Sequence, residues 1–346
     1  MKKFRNVRNV RNVRNVLVIA AVLAGTGYLR MSVEQEFTED LRERKIAQPR
    51  ISGQTWSDMG QTSLAGAFGG LRSVMASMLS LKAQGHFEEN DWYDLKKDYE
   101  VITALDPYNE FYWNHGGWHI GYNAASWARS NRRFSPARQR IMEMDFIEAG
   151  DAFYRKGLEY LPESKTLWFE IGALWSNKYK RPDIERAAEA FKIARDSPNA
   201  IHRRRYLFTI ARIPGREIEA YEEAIRLISE TSQHAKTPTF RCLLVVLATN
   251  PELPESILNP TIDDVFASKE KAYQDLYNYR QRVLEENFYA GDIDRLLKEL
   301  IDELNVPDEL NPFVTKTTRR IHSAKWRREV DKPKMILPKA VKPSLD

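Results

Sequence analysis

One cysteine, Cys242, occurs in the 346 residues, so no disulfide can form within the chain and no cysteine-based zinc cluster can be built. Burial alone must then hold the fold, and 42% hydrophobic with 11% aromatic residues supplies enough for one elongated or two compact cores. Other chemistry-bearing patterns are missing too. There is no HExxH, no phosphate-cradling glycine loop and no Ser/His/Asp arrangement with local context. His115 and His119 are four apart and would share one helix face, as zinc ligands can, but no third ligand is assignable and the run WNHGGWH suits aromatic packing. The pairs Glu88-Glu89 and Asp263-Asp264 lie in charged, solvated stretches. These absences argue against an enzyme and against a resident metal or cofactor.

Acids are absent from residues 1–16, where Lys2, Lys3, Arg5, Arg8, Arg11 and Arg14 give a charge of +6, four of them in RNVRNVRNVRNV. Residues 315–346 hold ten Lys or Arg against three acids, which leaves 17–314 at −8 beneath a whole-chain +5. The basic character therefore belongs to the two ends. A nucleic-acid arm would be a flexible tail on a soluble domain, whereas this one runs straight into LVIAAVLAGTGYL, and no nucleic-acid partner is expected.

A long apolar run is also lacking. Arg14 and Arg30 are separated by fifteen uncharged residues, about 22 Å of helix against a bilayer core of roughly 30 Å, so a span here needs arginine snorkelling or local thinning. A basic n-region followed by a short apolar segment is the pattern of a signal anchor. Residues 17–30 are read as that anchor, with 1–14 cytoplasmic and the body, from about Met31, outside a bacterial inner membrane, on the periplasmic side. Cleavage near Val22-Leu23-Ala24 is the rival outcome. Leu23-Ala24-Gly25-Thr26 resembles a lipoprotein box with threonine in place of cysteine, which excludes a lipid anchor by that route.

Beyond the anchor, 31–61 reads as a juxtamembrane helix, with Val33, Phe37 and Leu41 four apart, followed by a Pro/Gly linker. TSLAGAFGGLRSVMASMLSLKA, 62–83, is apolar, but Arg72 near its centre would cost about 2.5–3.5 kcal/mol in a membrane. It is predicted as a buried helix of the body. Residues 231–314 are read as a C-terminal helical cap, with helices at 268–287 and 292–304. The second has Asp292 as N-cap and a stripe of Ile293, Leu296, Leu297, Leu300, Ile301 and Leu304. The tail 315–346 is basic and Pro/Lys-rich.

Between these parts runs a helical period. Trp168, Ile171, Gly172 and Trp175 follow W-x2-[LIV]-G-x2-aromatic, and Ala187, Phe191, Ala194 and Pro198 follow A-x3-F-x2-A and then proline. The pattern resembles the tetratricopeptide repeat, a helix-turn-helix unit in which small residues let two helices approach and aromatics fill the groove between them. Weaker copies place Trp113, Gly116, Gly117 and Ile120 on a first helix and Gly150, Tyr154, Gly157 and Pro162 on a second, with SNRRFSPARQRIMEM as a long insert. Others place Leu95, Tyr99, Ile102 and Pro107, and then Tyr221 and Ala224, on second helices. The resemblance implies an all-α, TPR-like solenoid over 62–230. Its packing residues would be Trp168, Gly172, Trp175, Ala187, Phe191 and Ala194.

Carrying over the family's groove positions from Trp113 gives Phe111, Asn114, Trp118, Gly121 and Tyr122, and from Trp168 gives Thr166, Phe169, Ala173, Ser176 and Asn177. Asn114, Trp118, Tyr122, Phe169 and Asn177 are the candidate groove contacts, amides for a peptide backbone and rings for stacking. The resemblance implies a membrane-tethered scaffold of envelope, pilus or secretion machinery that binds a protein or peptide partner. The alternative is a carrier or sensor for a small molecule or glycan in an aromatic pocket built from Trp113, Trp118, Trp127, Trp168 and Trp175.

Overall fold

The structure is a computed structural model. It describes residues 34–51, 71–231, 233–253 and 260–314, together with positions 18, 21, 22, 25, 26 and 53. Nine of the fourteen residues of the predicted anchor, more than half of the predicted linker and the basic stretches 1–16 and 315–346 lie outside the described residues. Among the described residues no helix is long and apolar enough to cross a membrane. All regular structure there is helical, with no strand.

Residues 34–43 form the short helix expected beside the anchor, with Phe37 exposed. Thirteen further helices follow: α1 Arg72–Glu89, α2 Trp92–Leu105, α3 Glu110–Trp118, α4 Ala125–Ser130, α5 Pro136–Tyr160, α6 Lys165–Trp175, α7 Ile184–Ala194, α8 Ala200–Ile210, α9 Glu217–Glu230, α10 Pro238–Leu247, α11 Ile262–Val265, α12 Lys269–Glu286 and α13 Ile293–Leu304. A π-helical segment, His119–Ala124, joins α3 to α4 without a break in helical backbone. The chain divides into two compact units, Met1–Trp113 and Asn114–Asp346.

In the first unit α1 and α2 form an antiparallel hairpin. Its turn is set locally: Asn90 takes the left-handed conformation and its N–H closes on His86 and Phe87 carbonyls, and the Asp91 side chain caps α2 by accepting from the Asp94 N–H. Of the apolar 62–83 segment expected to be a buried helix, residues 62–70 lie outside the described residues, and the rest is helical but only partly buried. The described helix starts at Arg72, and only its Met75, Ala76 and Ala83 face is buried, because α2 covers one side. Leu71, Val74, Met78 and Leu81 remain exposed as a stripe. Arg72 does not need a membrane or a charge partner, since its guanidinium donates to the Pro49 and Ala104 carbonyls.

In the second unit most helices pack on their sequence neighbours, α5 on α6, α6 on α7, α7 on α8, α8 on α9 and α9 on α10. Two contacts depend on absent side chains. Gly117 lies against the Tyr154 ring, and Gly172 lies so close to Phe191 that a Cβ there would come within 2.6 Å of the ring. Ala187, Phe191 and Ala194 are completely buried. Trp175 is buried too, its indole N–H donating to Asp151 Oδ1 at 2.9 Å while Arg186 stacks 3.6 Å over the ring. Asp151 also accepts from Arg155 at 2.7 Å, so one buried carboxylate joins α5 and α6.

The structure shows how the stretch read as a long insert is built. SNRRFSPARQRIMEM is mostly helix: only 131–135 is loop, after which Ser135 caps α5, Pro136 takes its first turn, and α5 runs for 25 residues. In the cap region α12 and α13 match the predicted helices to within a residue or so, and the α13 stripe is buried against α12 apart from a half-exposed Leu304. Asp292 occupies the N-cap position, but its side chain pairs with Arg295 and does not cap. The sequence reading passed over α10, whose residues Phe240 to Leu247 are all buried. Its apolar run is only ten residues long and interrupted by Arg241, whose charge is met by Asp275 from a distant helix and so reads as solvated in the sequence.

Candidate functional site

The five candidate groove residues all fall in the second unit, on the α3–π segment and around α6. Trp118 is 42% exposed and stacks near-parallel on His115 at 6.2 Å, with His119 edge-on at 5.2 Å. Tyr122 sits in the π-helical segment, a widened turn that is frequent at functional sites. Its backbone carbonyl accepts from Lys180 Nζ at 2.9 Å, and Lys180 also donates to Ser126. Phe169 stacks on His202 at 4.0 Å. Asn114 is half-buried. Asn177 uses its Oδ1 for a local turn, accepting from the Tyr179 N–H, so only its amide donors remain for a partner. Gly121, which the carried-over pattern put on the groove, is instead core: it is buried and abuts Gly150 and Leu174.

Among the packing residues, Trp168 departs from its expected place. It is half-exposed beneath the Arg155 guanidinium, whereas Trp175 and Trp113 are each 1% exposed. This bears on the aromatic pocket. The Trp113 indole N–H donates to the Pro107 carbonyl and that of Trp175 to Asp151, so two of the five tryptophans have both face and N–H committed inside the fold.

Two polar side chains outside the candidate groove set, Glu170 and Tyr154, share an electrostatic neighbourhood with Tyr122. Glu170 is half-buried and makes no ion pair; burial raises its carboxyl above the ordinary glutamate value. Its charge acts on two phenols, Tyr122 and Tyr154, both raised chiefly by burial and then by Glu170, while Arg205 opposes the effect on Tyr122. The Tyr154 hydroxyl is buried without a hydrogen-bond partner. Glu170 and the unpartnered Tyr154 hydroxyl thus share one electrostatic neighbourhood with Tyr122, while Phe169 stacks on His202 and Trp118 is exposed. Glu170 could have been noticed as an acid inside the apolar run TLWFEIGALW.

His119 is buried and hydrogen-bonded to Asn123 at 3.1 Å, and burial, followed by the neighbouring His115, pushes its pKa down to about 4. Below the unfolded value near 6.5 the unfolded chain takes up a proton that the native ring refuses, so stability falls as the pH drops from 6.5 towards 4. The loss is on the order of 1–2 kcal/mol after discounting for screening beside the exposed Trp118. Urea midpoints at pH 7.5, 6 and 4.5 should show this slope in the parent and a shallower one in His119→Gln. Parallel slopes would place the titration elsewhere.

His115 and His119 meet ring edge to ring face at 4.5 Å, the aromatic packing expected of them. No protein-family model, curated protein or solved structure matches the chain.

Proposed function

We propose that the chain is a membrane-tethered, helical-repeat scaffold of the bacterial envelope, whose second unit captures a protein or peptide partner on the surface formed by Trp118, Tyr122, Phe169 and Glu170. The observation that carries this reading is the Glu170 carboxyl, half-buried on the helix that also carries Phe169 and with its charge reaching Tyr122, in a unit whose Trp118 is exposed. Such a carboxyl accepts hydrogen bonds from a partner's backbone or cationic side chains, and the rings supply apolar contact at low entropic cost.

The neighbour-on-neighbour helix order and the recurring glycine-on-aromatic contacts, Gly117 on Tyr154 and Gly172 on Phe191, support the tetratricopeptide-like repeat. Exposed Leu71, Val74, Met78 and Leu81 add a second apolar surface of the kind that interaction proteins carry. The basic n-region and the uncharged run after it support the inner-membrane tether with the body outside.

The test is photo-crosslinking in living cells. A crosslinking residue at Trp118 or Phe169 should give discrete adducts that Glu170→Ala weakens about tenfold without moving the melting temperature, while the same residue at exposed Ile141 on α5 should give none. A C-terminal phosphatase fusion should be active in the same cells. Equal adducts at all three positions, or none, would remove the partner surface. A silent phosphatase would remove the location.

A further inference from the structure

The α1–α2 turn of the first unit brings together groups that the scaffold reading does not use. His86, in the last turn of α1, and Asp91 and Asp94, at the start of α2, each present a ligand atom, and these atoms all lie within 4.8 Å of one another. Behind the imidazole stands Asp98, 9% exposed, whose Oδ2 has no hydrogen-bond partner and lies 3.4 Å from His86 Nε2. Its other oxygen accepts from Lys82 at 2.9 Å.

We propose that His86, Asp91 and Asp94 bind a divalent transition-metal ion of the zinc type, with Asp98 as the positioning residue that orients the His86 ring.

The arrangement has the order of a histidine metal site. Metal-bound histidines direct their second ring nitrogen at a carboxylate, which fixes the tautomer and raises ligand basicity. An imidazole that turns its Nε2–H onto Asp98 Oδ2, 3.4 Å away, leaves its Nδ1 lone pair on the side of Asp91. Nδ1 lies 3.9 Å from Asp91 Oδ2, too far for a hydrogen bond. Two ligands on one ion at about 2.0–2.2 Å each stand roughly 3–4 Å apart, so an ion spans the His86–Asp91 gap directly and Asp94, within 4.8 Å of both, closes by no more than about 1.5 Å.

Asp91 can serve two purposes. Its Oδ1 caps α2 by accepting from the Asp94 N–H at 3.3 Å, which leaves Oδ2 for the metal. Lys97, paired with Asp94 Oδ1 at 3.0 Å, competes for that carboxylate. One imidazole with two carboxylates favours zinc, or a neighbouring first-row ion, over magnesium or calcium, which prefer oxygen alone. Water completes the shell. The ion would clamp the end of α1 to the start of α2 across the Asn90 turn.

The probe is zinc chloride titrated calorimetrically into the chelator-treated full chain, with cobalt substitution read by visible absorption. One saturable site per chain is expected. Asp91→Asn keeps the cap, because asparagine caps a helix as well as aspartate, yet removes a charged ligand. It should weaken binding at least tenfold with the metal-free melting temperature unchanged. Asp98→Asn should weaken binding about tenfold to a hundredfold while leaving the shape of the cobalt spectrum intact, whereas Asp91→Asn should change that shape. Glu88→Gln, an exposed acid on the same turn, should do neither. No saturable binding, or equal loss in Glu88→Gln and Asp91→Asn, overturns the site and leaves His86 as an ion-pair partner of Asp98.

Discussion

Gly150→Ala should cost about 3 kcal/mol or more, even though alanine ordinarily favours a helix interior over glycine by roughly 1 kcal/mol. A Cβ at position 150 would stand 2.6 Å from the Cα of Gly121 and 2.8 Å from its nitrogen. Both are backbone atoms of the facing π-helical segment, so no rotamer change relieves the clash and the two helices must separate. Overpacking in cores typically costs about 1–3 kcal/mol, occasionally more. Gly172→Val should fall within that range, since the obstacle is a ring, Phe191, buried but able to tilt. Gly85→Ala is the control: nothing lies within 4 Å of its missing Cβ, and the change should stabilise by about 0.5–1 kcal/mol. Urea unfolding of the three variants measures the order. If Gly150→Ala unfolds like Gly85→Ala, the α5 contact with the π-helical segment is not as close as described.

Asp275→Ala should cost about 3–5 kcal/mol. Arg241 on α10 and Asp275 on α12 are 5% and 6% exposed, and Nη2 donates to Oδ2 at 2.8 Å. Lys271 approaches the other carboxylate oxygen at 3.2 Å, and the guanidinium lies over the Phe266 ring. Removing the carboxylate strands a guanidinium among Cys242, Leu243 and other buried neighbours, with only the Ala235 carbonyl at 3.4 Å left to it. Removing both charges is gentler, because two apolar side chains of similar volume carry no desolvation penalty. Arg241→Met with Asp275→Leu should therefore recover at least half of the loss. Thermal melts of the single and double variants give the coupling; a double variant as unstable as the sum of its parts would show that the pair contributes through packing alone.

Helix type and spacing were legible along much of the chain. A 3.6-residue period of apolar positions forces one face inward wherever it occurs, and this placed α6, α7, α12 and α13 from residues such as Trp175, Ala187, Phe191 and Leu297. The absence of cysteine clusters and catalytic motifs was equally readable. Where the period is short or broken, the reading fails: α10 is ten residues long and interrupted by Arg241, and the first turns of α5 look like a charged insert because their outer face is solvated. The signal that could have found α5 was Ser135 followed by Pro136, an N-cap and first-turn pair.

The sequence by itself determined an all-helical body, close-approach glycines at positions such as Gly117, Gly150 and Gly172, and a basic, apolar start, because these follow from local spacing and charge. Which side chains are left without partners was decided only by the tertiary structure. Glu170 and Tyr154 look like ordinary members of their helices in one dimension. Their burial, and the hydrogen bonds they lack, depend on which helix is laid against them, and no local period encodes that. Gly121 makes the same point in reverse. Its position in a repeat puts it on a groove, but the opposing Gly150 brings a backbone against it and turns it into core.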